Sequence, residues 1–339
     1  VLSSAAAAAL DTNQIAALST AQIVALTSAQ VFALGTAAVA ALSTDQVAVI
    51  ETTDLVAFGT ANIRTLSTDQ IVALTTAQVA ALSTANLTGL STTQVAALQT
   101  EDVVALTTGN VRSLDTDQVR ALGTDQVLFL TTAQVFAFST LNTSALSTEQ
   151  VAALETADLV WLGTSSVQVL STAHIVALGT AQALALTTAQ AVALTTLQLA
   201  ALETEDLAAL ATLNLRLLST TQVVALATNQ VLGLTTVQVE ALGTTQFLAL
   251  QTLQVLALGT DQIVALNTAQ AAGLGTVQVM ALSLTQVQAL ETVDVAALTS
   301  SSVRALGSSQ VAVLSTDQVV ALTTAQVFAL TSDAVAALT

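Results

Sequence analysis

The sequence is one eight-residue phrase repeated from end to end. Residues 66–82, LSTDQIVALTTAQVAAL, say it twice, and from Ser3 to Leu338 the chain divides into 42 such octads without an insertion or a deletion. A chain this periodic folds as stacked copies of one small unit, each too small to bury a core alone. The consensus is S/T/G-T-x-Q-V-x-A-L. Position 2 is Thr in 36 octads, position 8 Leu in 39, and position 5 Val, Ile or Leu in 36. Position 7 is Ala in 31 and position 4 Gln in 26, whereas positions 3 and 6 vary freely, which separates an inner set of positions from an outer one. Residues 1–339 read as a single continuous array. Val1-Leu2 reads as the tail of a repeat and Thr339 as the head of one, so the chain is expected to be a segment of a longer array or a filament subunit with covered ends.

Two folds compete for the octad. Thr and Val suit a β-solenoid, whereas Ala, Leu and Gln suit a helical unit. Charge placement decides for the helix. Of 22 acids, 21 occupy positions 1, 3 or 4, and all five arginines occupy position 6. Acids early and cations late complement a helix macrodipole in every unit, and a strand has no comparable dipole. Position 1 is Ser, Thr, Gly, Asp or Asn in 34 octads, which suits an N-cap or a left-handed residue ending the preceding helix. Ser at position 1 with Gln at position 4 has capping-box spacing. Each octad therefore reads as about one and a half helical turns over positions 3–8, with a stop and cap at positions 1–2; either of those two could be the formal N-cap. One unbroken helix is disfavoured, because eight residues in two turns is about 4.0 per turn against the natural 3.6. The expected fold is an all-α solenoid or superhelix of 42 very short helices, with a β-solenoid as the alternative. Positions 5 and 8 share a face and should line the core with the small Ala at position 7. Burying two aliphatic side chains contributes roughly 3–6 kcal/mol, but ordering eight residues costs about 8–16 kcal/mol of backbone entropy, so an octad needs its neighbours.

A coarser pattern overlies the octads. Asp replaces Gln at position 4 at Asp54, Asp102, Asp158, Asp206 and Asp294, and four of these octads open with Glu51, Glu155, Glu203 or Glu291. Arg follows ten residues later in four of the five, at Arg64, Arg112, Arg216 and Arg304. The pattern reads either as inter-octad ion pairs in register along the array or as duplication of a larger tile.

Residues able to carry chemistry are sparse, and no catalytic, cofactor-binding or metal-ligating residue is expected. A net charge of −17 disfavours nucleic acid and anionic membrane surfaces as partners. Mean hydropathy is +0.78, yet polar residues interrupt every apolar run far short of the ~20 residues a membrane span needs. With no Cys there is neither a disulfide nor a thiolate ligand. His174, the only histidine, stands at position 4 as a substitute for Gln, and general acid–base catalysis needs a partner and a pocket besides. The acidic runs Glu203-Thr204-Glu205-Asp206 and Asp115-Thr116-Asp117 lack the glycine turn and 12-residue ligand spacing of an EF-hand loop. They read as solvated helix N-termini with at most a weak attraction for Ca²⁺. Trp161 and Met280 read as filler or surface.

The variable positions 3 and 6 should point outward, yet they often hold large apolar residues: Phe32, Phe136, Leu197, Leu213, Val237, Leu253, Met280 and Phe328. Repeated exposed apolar side chains mark an association surface, unless one of these positions also faces the core. Runs such as LTTAQVAALSTANLTGLSTTQVAAL (74–98) resemble the Thr/Gln/Ala-rich octapeptide arrays of long bacterial surface or secreted proteins. That resemblance implies a bacterial, extracellular, structural or adhesive role. The leading expectation is a structural protein outside the cell, forming a fibre, filament or stalk by self-association. A second is a binding module that presents rows of Thr to ice or a polysaccharide, against which stands an expected burial of the Thr side chains. A third is a protein-binding α-solenoid scaffold. An enzyme is the least expected class.

Overall fold

A computed structural model describes residues 2–338; Val1 and Thr339, with the readings placed on them, lie outside the described residues. The described residues form 42 helices, one per octad and almost all five or six residues long, with no strand. The all-α reading holds and the β-solenoid is set aside. The helices fall into two compact units, Val1–Ala177 and Leu178–Thr339, and each is described by itself.

Each helix begins one residue earlier than the sequence suggests. Position 1 is the N-cap throughout and Thr at position 2 is the first helical residue. In the octad of α9 (Thr68–Val72), Ser67 is extended at φ −69°, ψ 164°. Its hydroxyl accepts the Gln70 N–H at 3.2 Å while its own N–H donates to Gln70 Oε1 at 2.7 Å, closing a capping box. Gly at position 1 adopts the same extended backbone, as at Gly59 (φ −68°, ψ 166°), and no described residue has a positive φ. The left-handed stop is therefore corrected. Position 8 ends the helix by turning extended, as Leu66 does at φ −60°, ψ 134°, and two consecutive extended residues make each corner. Gly is tolerated at position 1 because the other half of the box survives: Gly123 N–H donates to Gln126 Oε1 at 2.7 Å.

Helices three apart in sequence pack on one another. In the first unit α4 (Ser28–Ala33) lies on α7 (Thr52–Val56), which lies on α10 (Thr76–Ala81) and then α13 (Thr100–Ala105). In the second unit α26 (Thr204–Ala209), α29 (Thr228–Gly233), α32 (Thr252–Ala257) and α35 (Thr276–Ala281) do the same. Three octads thus make one coil of the solenoid. Positions 5 and 8 fill the interior, as Ile71, Leu74, Phe247 and Leu250 illustrate. Position 7 is only half-buried and rests on the Thr at position 2 one coil below. A methyl group on Gly89 would lie 2.9 Å from Ile63 Cγ2 and 3.1 Å from Thr60 Cα, which accounts for Gly in that octad.

Position 4 is buried as well, and this is the feature the sequence hides. Gln118 accepts the Asp115 N–H at 3.1 Å within its own octad, and its Nε2 donates to the carbonyls of Leu87 and Leu90, both at 2.9 Å. Those acceptors lie 31 and 28 residues upstream, at the C-terminal end of α11 (Thr84–Gly89). Gln270 repeats the arrangement in the second unit: it accepts from Asn267 N–H at 2.9 Å and donates to Val239 and Leu242 at 2.9 and 2.8 Å. The first N–H groups and last C=O groups of a helix lack intrahelical partners. One carboxamide serves both kinds, at two helix ends a coil apart.

Removing such a carboxamide should cost far more than removing an exposed one. Gln270→Ala strands buried backbone groups and should destabilise the chain by roughly 2–4 kcal/mol, whereas Gln288→Ala, at an exposed position 6, should change stability by no more than about 0.5 kcal/mol. Urea unfolding followed by circular dichroism checks the pair.

Candidate functional site

With positions 4, 5 and 8 turned inward, positions 3 and 6 project from each coil. All eight apolar residues singled out there are exposed, from 56% at Leu213 to 85% at Phe328, so none of them is a core residue. The apolar character concentrates on one strip of the second unit. There α29, α32 and α35 pack in sequence, and Leu232, Leu253, Leu256, Val277 and Met280 are exposed along them. In the first unit the exposed rings of Phe136 and Trp161 meet edge to face, with centroids 6.4 Å apart at 87°. Thr132 and Ala133 line the shallow depression beside them.

Thr at position 2 does not go inside, contrary to expectation. Every described residue at that position is half-buried or exposed. The cap is made by position 1, so the Thr hydroxyl is not needed for it, and only part of the side chain is covered by the small residue of the next coil.

The ion pairs drawn between octads do not form. Asp54, Asp102, Asp158, Asp206 and Asp294 are buried at position 4, while Arg64, Arg112, Arg216 and Arg304 are exposed at position 6. The two positions face opposite ways, so ten residues of chain cannot bring them together. Among the described residues the one ion pair is Arg120–Asp117, at 3.7 Å on an exposed helix face, where such a pair contributes little.

Asn in place of Gln keeps its inter-coil bond. Asn62, Asn86, Asn110, Asn142 and Asn214 each donate from Nδ2 to a carbonyl 28 residues upstream at 2.6–3.0 Å. Ser302 Oγ does the same to Leu274 O at 2.6 Å. At His174 the half of the box within the octad is kept, Nδ1 accepting the Ser171 N–H at 3.2 Å, and the ring faces the Leu146 carbonyl 28 residues upstream. Burial lowers the His174 pKa by taking the charged ring out of water, and the Leu146 carbonyl opposes this. Burial pushes the Asp102, Asp206 and Asp294 carboxyls up, the last to about 6 with Glu291 adding repulsion.

The acidic runs do not converge. Asp115 spends its carboxylate on the N–H groups of Asp117 and Gln118, and Asp206 is buried away from the exposed Glu203 and Glu205. Among the described residues no three His, Asp or Glu side chains cluster as a metal would require, and no helix is long and apolar enough to cross a membrane.

Within each unit this is a tandem-repeat α-solenoid, held by a buried side-chain ladder and bearing a variable outer surface. Sequence comparison places it further: the ALTTAQ repeat matches residues 20–49, 47–84, 79–108, 95–132, 151–196, 199–236, 255–292 and 287–324. Most of the chain is covered, and the chain belongs to the ALTTAQ repeat family. No curated protein matches it.

His174 makes a test of the ladder by pH. Its folded pKa lies below the ordinary 6.5, so the unfolded chain binds more protons in that window and stability is lost as pH falls through it. His174→Gln should remove this acid sensitivity, so the stability gap between variant and wild type should widen from pH 7.5 to pH 5.5 in urea titrations.

Proposed function

We propose that the chain is a structural array that associates laterally with copies of itself, forming a fibre, filament or stalk outside the cell. The observation that carries this reading is the strip of exposed apolar side chains on α29, α32 and α35, on a surface with very few cations. Exposed apolar residues repeated at a fixed interval favour association with an equally periodic partner, and a second copy is one. Contacts of that kind that do not close on themselves build filaments. The paucity of Arg and the absence of Lys leave few tryptic sites, which suits a durable material. The family supplies the repeat and no activity, so location and bacterial origin rest on the resemblance alone.

The exposure of Thr at position 2 favours a second reading. Rows of Thr, one per coil on each face, offer a regular array of hydroxyl and methyl groups to ice or a polysaccharide. Thermal hysteresis and sedimentation with insoluble cellulose or chitin test it.

The triple variant Leu253→Glu, Val277→Glu and Met280→Glu places three charges on the strip without touching the core. Sedimentation velocity should show concentration-dependent assembly of the parent chain and its loss in the variant. A parent that stays monomeric at all concentrations would overturn the association reading.

A further inference from the structure

We propose that Asp102, Asp206 and Asp294 are acid-closed latches: in mildly acidic surroundings each takes up a proton and donates its O–H to a backbone carbonyl one coil away, as Asn does at the same position. The carbonyls are those of Leu74, Leu178 and Leu266, each 28 residues upstream of its Asp.

The geometry asks for a donor at this place. Side chains at position 4 donate to the carbonyl 28 residues upstream whether they are Gln, Asn or Ser, as at Gln118, Asn110 and Ser302. A protonated Asp has the shape of Asn, with O–H in place of N–H. An ionised Asp can only accept and turns an acceptor toward an acceptor. The carboxylates are accordingly left short of partners. Asp102 Oδ2, Asp206 Oδ2 and both oxygens of Asp294 are buried without a well-formed hydrogen bond, all three residues are at most 2% exposed, and the hydroxyls of Thr76, Thr180 and Thr268 one coil below, with the Gln99 backbone at Asp102, offset only part of the cost of burial.

No cation neutralises them. Asp102 has Glu101 beside it in the same helix; α10 brings no charged residue against it, and α16 (Thr124–Leu128) brings Asp125. Asp206 has Glu203 and Glu205 in its own octad, and neither α23 (Thr180–Ala185) nor α29 carries a charge. Asp294 has Glu291; α34 (Thr268–Gly273) is uncharged and α40 (Thr316–Ala321) carries Asp317. Every charge around the three carboxyls is negative, which favours the protonated form. Their raised pKa values agree with this arrangement. A group with a raised folded pKa binds more protons folded than unfolded, so the array gains stability as pH falls toward the ordinary Asp value of 3.8.

The test compares wild type with the triple variant D102N/D206N/D294N by thermal unfolding across pH, so that His174 and the other acids cancel. The variant should have the higher Tm at neutral pH, and the gap should close at pH 3.8. Removing the same charge from exposed position 3 away from the three carboxyls, in D45N/D69N/D261N, should open no such gap. In wild type, the carboxyl carbon resonance of Asp294, assigned by its loss in D294N, should titrate near pH 6. A variant no more stable than wild type at neutral pH, or an Asp294 resonance titrating near 3.8, would overturn the proposal. So would Ca²⁺ raising the Tm of wild type and not of the variant, since the carboxylates would then be ionised and cation-bound.

Discussion

The structure depends on one side-chain carboxamide placed between two helix ends. A helix of five or six residues makes very few internal backbone bonds, and nearly all of its N–H and C=O groups are terminal. Left buried and unpaired, those groups would outweigh the gain from two aliphatic side chains per octad. Gln at position 4 removes the conflict. Its oxygen takes the N-cap N–H of its own octad and its nitrogen takes the last carbonyls of a helix one coil earlier. Helix termination and coil-to-coil cohesion become the same interaction, and the repeat can be as short as eight residues.

The rest of the octad follows from this. Position 1 must cap, so it is small and polar. Positions 5 and 8 flank the carboxamide on the buried side and are almost always apolar. Position 7 lies against the neighbouring coil and is usually Ala, with larger residues such as Phe129, Trp161 and Leu217 turned outward. Positions 3 and 6 have no internal duty, and there the sequence is free to vary. Whatever distinguishes one octad from another toward a partner is therefore written mainly at positions 3 and 6, above all in the apolar strip of the second unit, with Trp161 at position 7 joining Phe136 in the first.

Much of this was legible in the sequence, because helix dipoles, capping boxes and apolar spacing are local effects. The octad, its helical nature, the inward Val and Leu, and the outward Phe32 and Met280 could all be read directly. Interactions between coils could not. The acceptors of Gln118 lie 28 and 31 residues away, a distance that only the number of octads per coil reveals. Without that number the ten-residue Asp–Arg spacing suggested ion pairs, although Asp102 points inward and Arg112 outward. Thr at position 2 was assigned to the interior for a related reason: its regularity reflects a contact with the next coil and a place in the first helical turn.

Function is the part least determined by the fold, since a saturated backbone array serves any role that the outer positions define. The claim on which the account stands is the double bonding of the position-4 carboxamides, and their own hydrogens report on it. Hydrogen exchange of the glutamine side-chain NH₂ groups, resolved by ¹⁵N NMR, is the direct measurement. The buried residues Gln94, Gln118 and Gln270 should exchange as slowly as the core amides around them, and the exposed Gln22 and Gln288 at the rate of a free side chain. If the buried and exposed carboxamides exchange alike, the ladder does not hold the coils together and the account fails.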